Sequence, residues 1–308
     1  MPVRFLSVVT MALAATLAAG CAASKTIVTR PSGPPLPLQS ATKQELIERY
    51  NRQAAAVTSL NSSVKMTLTA GSAYTGVIKQ YHEINGFLVA QKPASIRAIG
   101  QAPVVGTNIF DMQSDGETFH IFIPSQHKFI TGPTNLERAS ARPIENLRPQ
   151  HLTAAIFWDA IPEKSPVLLE EEIETASQFY VLTVVRNAAN GTDRAAGDWE
   201  IAQRIWFDRS DLNVTRMETY EAGGKIGSDV RYSGWSDFGG VKFSREISLA
   251  RPENDYTLRI GITKATLNAA IPAERFVLQQ PPGTELVNVG KESEGTKPAD
   301  TNAEGGKP

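Results

Sequence analysis

The hydrophobic pattern changes period once along the body of the chain. Leu46, Ile47, Tyr50, Ala54, Val57 and Leu60 recur three or four residues apart, the spacing of one helix face. Thr42 and Glu45 just ahead have the spacing of a capping box, in which each side chain satisfies the other's backbone N–H. The spacing predicts a helix that ends at the polar Asn61-Ser62-Ser63. From Val64 the period becomes two: Val64, Met66 and Leu68; Phe119, Ile121 and Ile123; Trp199, Ile201, Ile205 and Phe207; Ile226, Val230 and Tyr232; Val241, Phe243, Ile247 and Leu249; Tyr256, Leu258, Ile260 and Ile262. Turn signals separate these runs: Asp115-Gly116, Asn190-Gly191, Gly223-Gly224, Gly239-Gly240 and Glu253-Asn254-Asp255.

About eleven strands with one apolar and one polar face predict an antiparallel sheet, because buried parallel strands read as continuous apolar runs. Only one further helix suggests itself, over 149–159, with Leu152, Ala155, Ile156 and Trp158 on its apolar side. Two helices cannot tile so wide a sheet. The fold class expected is therefore mainly β with helices: a strongly curved antiparallel sheet, an unclosed β-barrel, with a helical lid over its concave side. Such a shape readily leaves an apolar cavity. Phe157 and Trp158 on the lid and Phe243 and Ile247 on the wall are the candidate lining residues. Arg245 shares the parity of Phe243 and Ile247. On the apolar side it needs a partner: a carboxylate, the lid or a ligand head group. A strand bulge that turns it outward is the other reading.

The ends of the chain differ from this body. Arg4 precedes an apolar or small run from Phe5 to Ala19, too short for the ~20 residues of a membrane span and suited to a secretory signal over 1–20. The single cysteine of the 308 residues, Cys21, follows directly on Leu17-Ala18-Ala19-Gly20. This resembles the bacterial lipobox, in which the thiol carries diacylglycerol, with palmitate among the usual acyl groups. Ala18 stands where that motif has a large aliphatic residue. Residues 21–40, with Pro31, Pro34, Pro35 and Pro37, read as the acylated cysteine and an extended spacer. Residues 290–308 contain no large apolar side chain and read as a disordered tail, which leaves 41–289 as the folded domain. Acyl chains anchor a protein without a span. Ala22 is not the Asp that favours inner-membrane retention, so the implied location is the outer membrane, facing the periplasm.

A lipobox, a spacer, a helix and then meandering strands interrupted by a second helix is an order similar to the lipoprotein carrier and receptor proteins of the Lol system, LolA and LolB. Ile96-Arg97, Ala102-Pro103-Val104-Val105-Gly106, Ser114-Asp115-Gly116, Ile123-Pro124, Phe129 and Gly132 resemble the family's central hairpins. Ile271-Pro272-Ala273-Glu274-Arg275-Phe276 and Pro281-Pro282-Gly283-Thr284 resemble its closing segment. The resemblance implies a half-barrel whose hydrophobic cavity accepts acyl chains, and Cys21 makes the chain resemble the anchored receptor. It also implies a protruding apolar loop used in membrane delivery. Val104 and Val105 either form that tip or begin the next strand.

Charge and chemistry narrow the function further. The 31 Lys and Arg against 32 Asp and Glu give a net charge of −1, which excludes a basic field for nucleic acid. One cysteine excludes a disulfide framework or thiolate cluster. The sequence has no H-E-x-x-H, G-x-S-x-G or phosphate loop. His120 and His127 flank a predicted hairpin without a third ligand, and Glu170-Glu171-Glu172 with Glu174 reads as a solvated face. No catalytic residue, metal site or cofactor is expected. The expected function is a membrane-anchored protein that binds lipid or the acyl chains of a lipoprotein, possible envelope transfer included. A structural or assembly lipoprotein that binds an envelope partner through the same scaffold is the alternative. An envelope hydrolase lacks a visible triad or metal site.

Overall fold

The computed structural model describes residues 37–71, 78–135, 146–174, 177–188 and 199–289. Cys21, the signal, most of the spacer, Asn190-Gly191 and the tail lie outside them.

Helix α1 is Lys43–Ala56. Its capping box forms as expected: Thr42 N–H donates to Glu45 Oε2 at 2.7 Å and Glu45 N–H to Thr42 Oγ1 at 3.3 Å. Leu46, Tyr50 and Ala54 are its buried face. The helix stops at Ala56, four residues before the apolar spacing does. Asn268, 212 positions away in sequence, donates to Ala56 O at 2.8 Å and accepts from Thr58 N–H at 2.8 Å. Lys92 Nζ donates to Ala54 O at 2.6 Å. Last-turn carbonyls are thus met by distant side chains, and the ammonium also suits the negative helix end. Leu60 and Asn61-Ser62-Ser63 belong instead to β1, Ser59–Ala70.

The other strands are β2 (Lys79–Gln80), β3 (Ile84–Gln91), β4 (Ser95–Gln101), β5 (Asn108–Ser114), β6 (Thr118–Ile123), β7 (Lys128–Pro133), β8 (Val167–Glu174), β9 (Ser177–Asn187), β10 (Trp199–Asp208), β11 (Val214–Tyr220), β12 (Ile226–Asp237), β13 (Lys242–Arg251), β14 (Tyr256–Leu267) and β15 (Glu285–Asn288). Helix α2, Pro149–Ile156, lies between β7 and β8. All strands join one curved, unclosed sheet in the order β15-β7-β6-β5-β4-β3-β1-β14-β13-β12-β11-β10-β9-β8, with β2 beside β1. Among the described residues the sheet holds 15 strands where about eleven were expected. Two of the additions, β2 and β15, are too short to show a period. Every pairing is antiparallel except β15 with β7.

Curvature has local causes. Register shifts at Ser63/Val64, Gly100/Gln101, Ile201/Gln203, Trp206/Phe207 and Thr219/Tyr220 bend and twist the strands. Gly86 pairs with Gly100 across β3 and β4. A Cβ on Gly86 would collide with Ile99 O and lie 2.5 Å from Met66 Cε, so only glycine fits. Both helices lie on one face of the sheet, where Leu46, Tyr50, Leu152 and Ile156 join Met66, Leu88, Met112, Ile205, Phe207, Ile247 and Ile260 in one buried cluster. The opposite face carries ion pairs. Trp206 is buried there between the guanidinium groups of Arg204 and Arg216, 4.6 and 4.7 Å from its ring, and donates Nε1–H to Glu172 at 2.9 Å. Its neighbour Phe207 points into the core.

Candidate functional site

Where α1, the segment after α2 and the strands β10–β13 converge, four aromatic rings meet. Trp158 stacks on Tyr50 with centroids 5.2 Å apart and planes 8° from parallel. Its edge meets Tyr232 at 5.2 Å and Trp235 at 6.1 Å. Hydrogen bonds fix the rings: Trp158 Nε1–H donates to Tyr232 Oη at 3.0 Å, Tyr232 O–H to Ala155 O at 2.9 Å and Trp235 Nε1–H to Val214 O at 3.0 Å. Burial raises the pKa of both Tyr50 and Tyr232, so both phenols stay neutral. Asn51 locks α1 to the segment beyond Trp158, accepting from Ile161 N–H at 2.8 Å and donating to Ile161 O at 3.1 Å.

Trp235 enters this cluster through a break in alternation. Gly234 takes φ +66°, so Tyr232 and Trp235, three residues apart, reach the same side. The glycine was the available signal, and parity alone missed it.

Above the rings opens a cleft of about 340 Å³. Tyr50, Trp158, Phe207 and Trp235 floor it; Gln53, Leu212, Val214 and Val241 form its walls; Arg49, Arg52 and Lys242 stand at its rim. Its volume is at the low end of the ~300–1,000 Å³ usual for ligand pockets. Beneath Trp158 a second hollow, lined also by Ala54, Ile156, Tyr232 and Phe243, measures about 10 Å³, room for no more than one water. The wide enclosed hollow expected between sheet and helices is therefore not found at this place, because aromatic and aliphatic side chains fill it. Trp158, with Gln53 and Trp235, lines both the cleft and that small hollow and so separates them.

The expected lining residues separate. Trp158 lines the cleft, and Phe243 lines only the small hollow. Phe157 is buried, with Lys92 Nζ 5.9 Å from its ring centre. Ile247 is buried in the core at 1% exposure. Arg245 is half-buried against Phe238, 4.7 Å from its ring, and donates to Ser236 Oγ at 2.9 Å. Val104 and Val105 form the tip of the β4–β5 hairpin, neither in a strand; Val105 is 70% exposed and Val104 wholly so, at φ +73°. Tyr50, Leu212 and the rim cations were not anticipated, since only the fold brings α1 beside the β10–β11 turn.

Among the described residues no three His, Cys, Asp or Glu side chains are placed to hold a metal ion. His120 stacks on Phe129. Glu170 and Glu172 lie 3.6 Å from Arg204, and Glu171 lies 3.3 Å from Arg209. Asp208, Asp211 and Asp237 cap turns by accepting from Ser210, Asn213 and Gly240 N–H.

Comparison with solved structures gives likenesses of architecture. A LolA superfamily protein from Nitrosomonas europaea is 14% identical over 78% of this chain and 99% of its own, with a TM-score of 0.44. A DUF1329 family protein from Desulfovibrio piger is 13% identical over 75% of this chain and 94% of its own, with a TM-score of 0.48. A Vibrio parahaemolyticus domain, provisionally described as an outer membrane lipoprotein-sorting protein, is 9% identical over 75% of this chain and 95% of its own, with a TM-score of 0.42. The Lol-type likeness expected from sequence is thus found again among folds. At these identities and scores it assigns no residue and no ligand. No family model and no curated protein matches the chain.

Proposed function

We propose that this protein is an envelope lipoprotein, acylated at Cys21 and held at the outer membrane facing the periplasm, which binds the acyl chains of lipid or of a second lipoprotein and catalyses no reaction. The observation that carries the reading is the aromatic-floored cleft beside Trp158. At ~0.8 kcal/mol per buried CH₂, ten methylenes gain ~8 kcal/mol, against ~4–15 kcal/mol lost on association. Binding in the open cleft alone is weak, which suits handover. Tighter binding requires the packed aromatic cluster itself to rearrange, because the hollow behind Trp158 measures only about 10 Å³. The exposed Val104–Val105 tip supplies an apolar contact with the membrane surface during delivery. Native mass spectrometry of the full chain carrying Cys21→Ala, purified without detergent from an envelope extract, tests the proposal. Bound lipid is the expected result, and a lipid-free protein that takes up none on incubation refutes it.

The filled interior favours a second reading, in which the scaffold binds a protein partner through an edge. Strand β8 ends the sheet and exposes Leu168 and Ile173. An added strand there would pair by backbone hydrogen bonds. Substituting both with Lys abolishes partner capture on this reading and leaves lipid binding intact on the first.

A further inference from the structure

We propose that the amphiphile taken at the cleft carries an anionic head group, held at the rim by Arg49, Arg52 and Lys242. The inference rests on the reading of the cleft as an amphiphile site and adds the chemistry of the head. In a chain of net charge −1, the cleft is lined by three cations and no carboxylate. Several arginines elsewhere on the sheet are paired with acids: Arg97 lies 2.8 Å from Asp111, Arg186 2.8 Å from Glu200 and Arg216 2.9 Å from Asp229.

At the rim the contacts differ. Arg49 donates to Asp211 O at 3.0 Å and Asn213 Oδ1 at 3.3 Å, both uncharged acceptors that aim the guanidinium without neutralising it. Arg52 has Glu48 at 3.9 Å, with both side chains more than half exposed, a pair of little worth. Lys242 is exposed on the opposite lip, its carbonyl fixed by Gln53 at 2.8 Å. The neighbouring acids Asp211 and Asp237 are used as turn caps, and Asp159, next to Trp158, does not line the cleft. Apolar floor and cationic rim together match an acyl chain ending in a phosphate or carboxylate. Beside low-dielectric walls such a rim attracts anions more strongly than the same charges in open water.

The test compares amphiphiles of one chain length on the full chain carrying Cys21→Ala, by calorimetry below their micelle concentrations. Dodecyl phosphate and dodecanoate bind at least about tenfold more tightly than dodecyl maltoside and dodecyltrimethylammonium, and the gap narrows as salt rises from ~50 mM to ~0.5 M. The double variant Arg52→Gln, Lys242→Gln, both exposed and so neutral for folding, weakens the anionic ligands about fivefold or more relative to the maltoside. Equal affinity for anionic and neutral amphiphiles, or an unmoved double variant, overturns the head-group assignment while the amphiphile reading stands. No binding by any of the four overturns both. Inorganic phosphate binding as tightly as dodecyl phosphate overturns the proposal in favour of a free-anion site.

Discussion

Trp158→Ala is the substitution on which stability and function both turn. Trp158 is 7% exposed, stacked on Tyr50, in edge contact with Tyr232 and Trp235, and bonded to Tyr232 Oη. Truncating a buried Trp to Ala costs ~3–5 kcal/mol, and the packing of this ring against three aromatic neighbours places it above the lower end, at ~4 kcal/mol. Tyr232 keeps its bond to Ala155 O, so no buried donor is orphaned and no further penalty arises. At ~2–4 °C per kcal/mol for a domain of this size, the melting temperature falls by ~8–16 °C. The same change removes the indole from the partition that Trp158 forms with Gln53 and Trp235 between the 340 Å³ cleft and the 10 Å³ hollow, and joins the space it vacates to the cleft. Calorimetric titration of wild type and variant with alkyl phosphates of increasing chain length reads the consequence. The variant gains affinity with each added methylene beyond the point at which the wild type levels off. A melting temperature within ~3 °C of wild type, or an unchanged dependence on chain length, refutes the account of Trp158 as both keystone and wall.

Three further outcomes follow from other parts of the molecule. His151 accepts or shares a proton with Tyr256 Oη at 2.6 Å, and burial together with Arg251 and Arg148 holds its pKa well below 6.5. The unfolded chain therefore takes up a proton below pH 6.5 that the folded chain refuses, and stability falls with pH there, by ~1 kcal/mol between pH 6.5 and 5.5, a slope that His151→Gln abolishes in denaturant titrations. Gly86→Ala forces a methyl group against Ile99 O and Met66 and lowers stability by ~1–3 kcal/mol in urea unfolding, where a neutral result removes the close-approach argument. Val104→Gly relieves a β-branched residue at φ +73°, a strain of ~1–3 kcal/mol that outweighs the ~0.5–1 kcal/mol entropic cost of glycine, so thermal stability rises while association with phospholipid vesicles drops.

Much of the architecture is legible in local patterns because its causes are local. The Thr42–Glu45 box marks the start of α1, and the alternation through Tyr256, Leu258, Ile260 and Ile262 marks a strand whose buried face is the one expected. What stays hidden is set by distant partners. The end of α1 depends on Asn268 and Lys92, which no window around Ala56 contains. Parity put Arg245 beside Phe243 and Ile247, yet its guanidinium lies on Phe238. A large half-covered sheet implied empty space at the aromatic cluster, but volume depends on side-chain size, and Tyr50, Trp158, Tyr232 and Trp235 are large enough to fill it. The cleft escaped sequence reading for the same reason: Arg49 and Lys242 are 193 positions apart, and only the packing of α1 on β10–β13 brings them to one rim.

Photo-crosslinking addresses the location of the ligand directly. A dodecyl phosphate bearing a terminal diazirine, irradiated with the Cys21→Ala chain and mapped by peptide mass spectrometry, is predicted to label Gln53, Trp158, Trp235 and Val241, and to lose that labelling when unlabelled dodecyl phosphate competes. Adducts confined to the opposite face of the sheet, at Phe87 and Ile99 in the groove beside Arg275, contradict the cleft as the acyl-chain site.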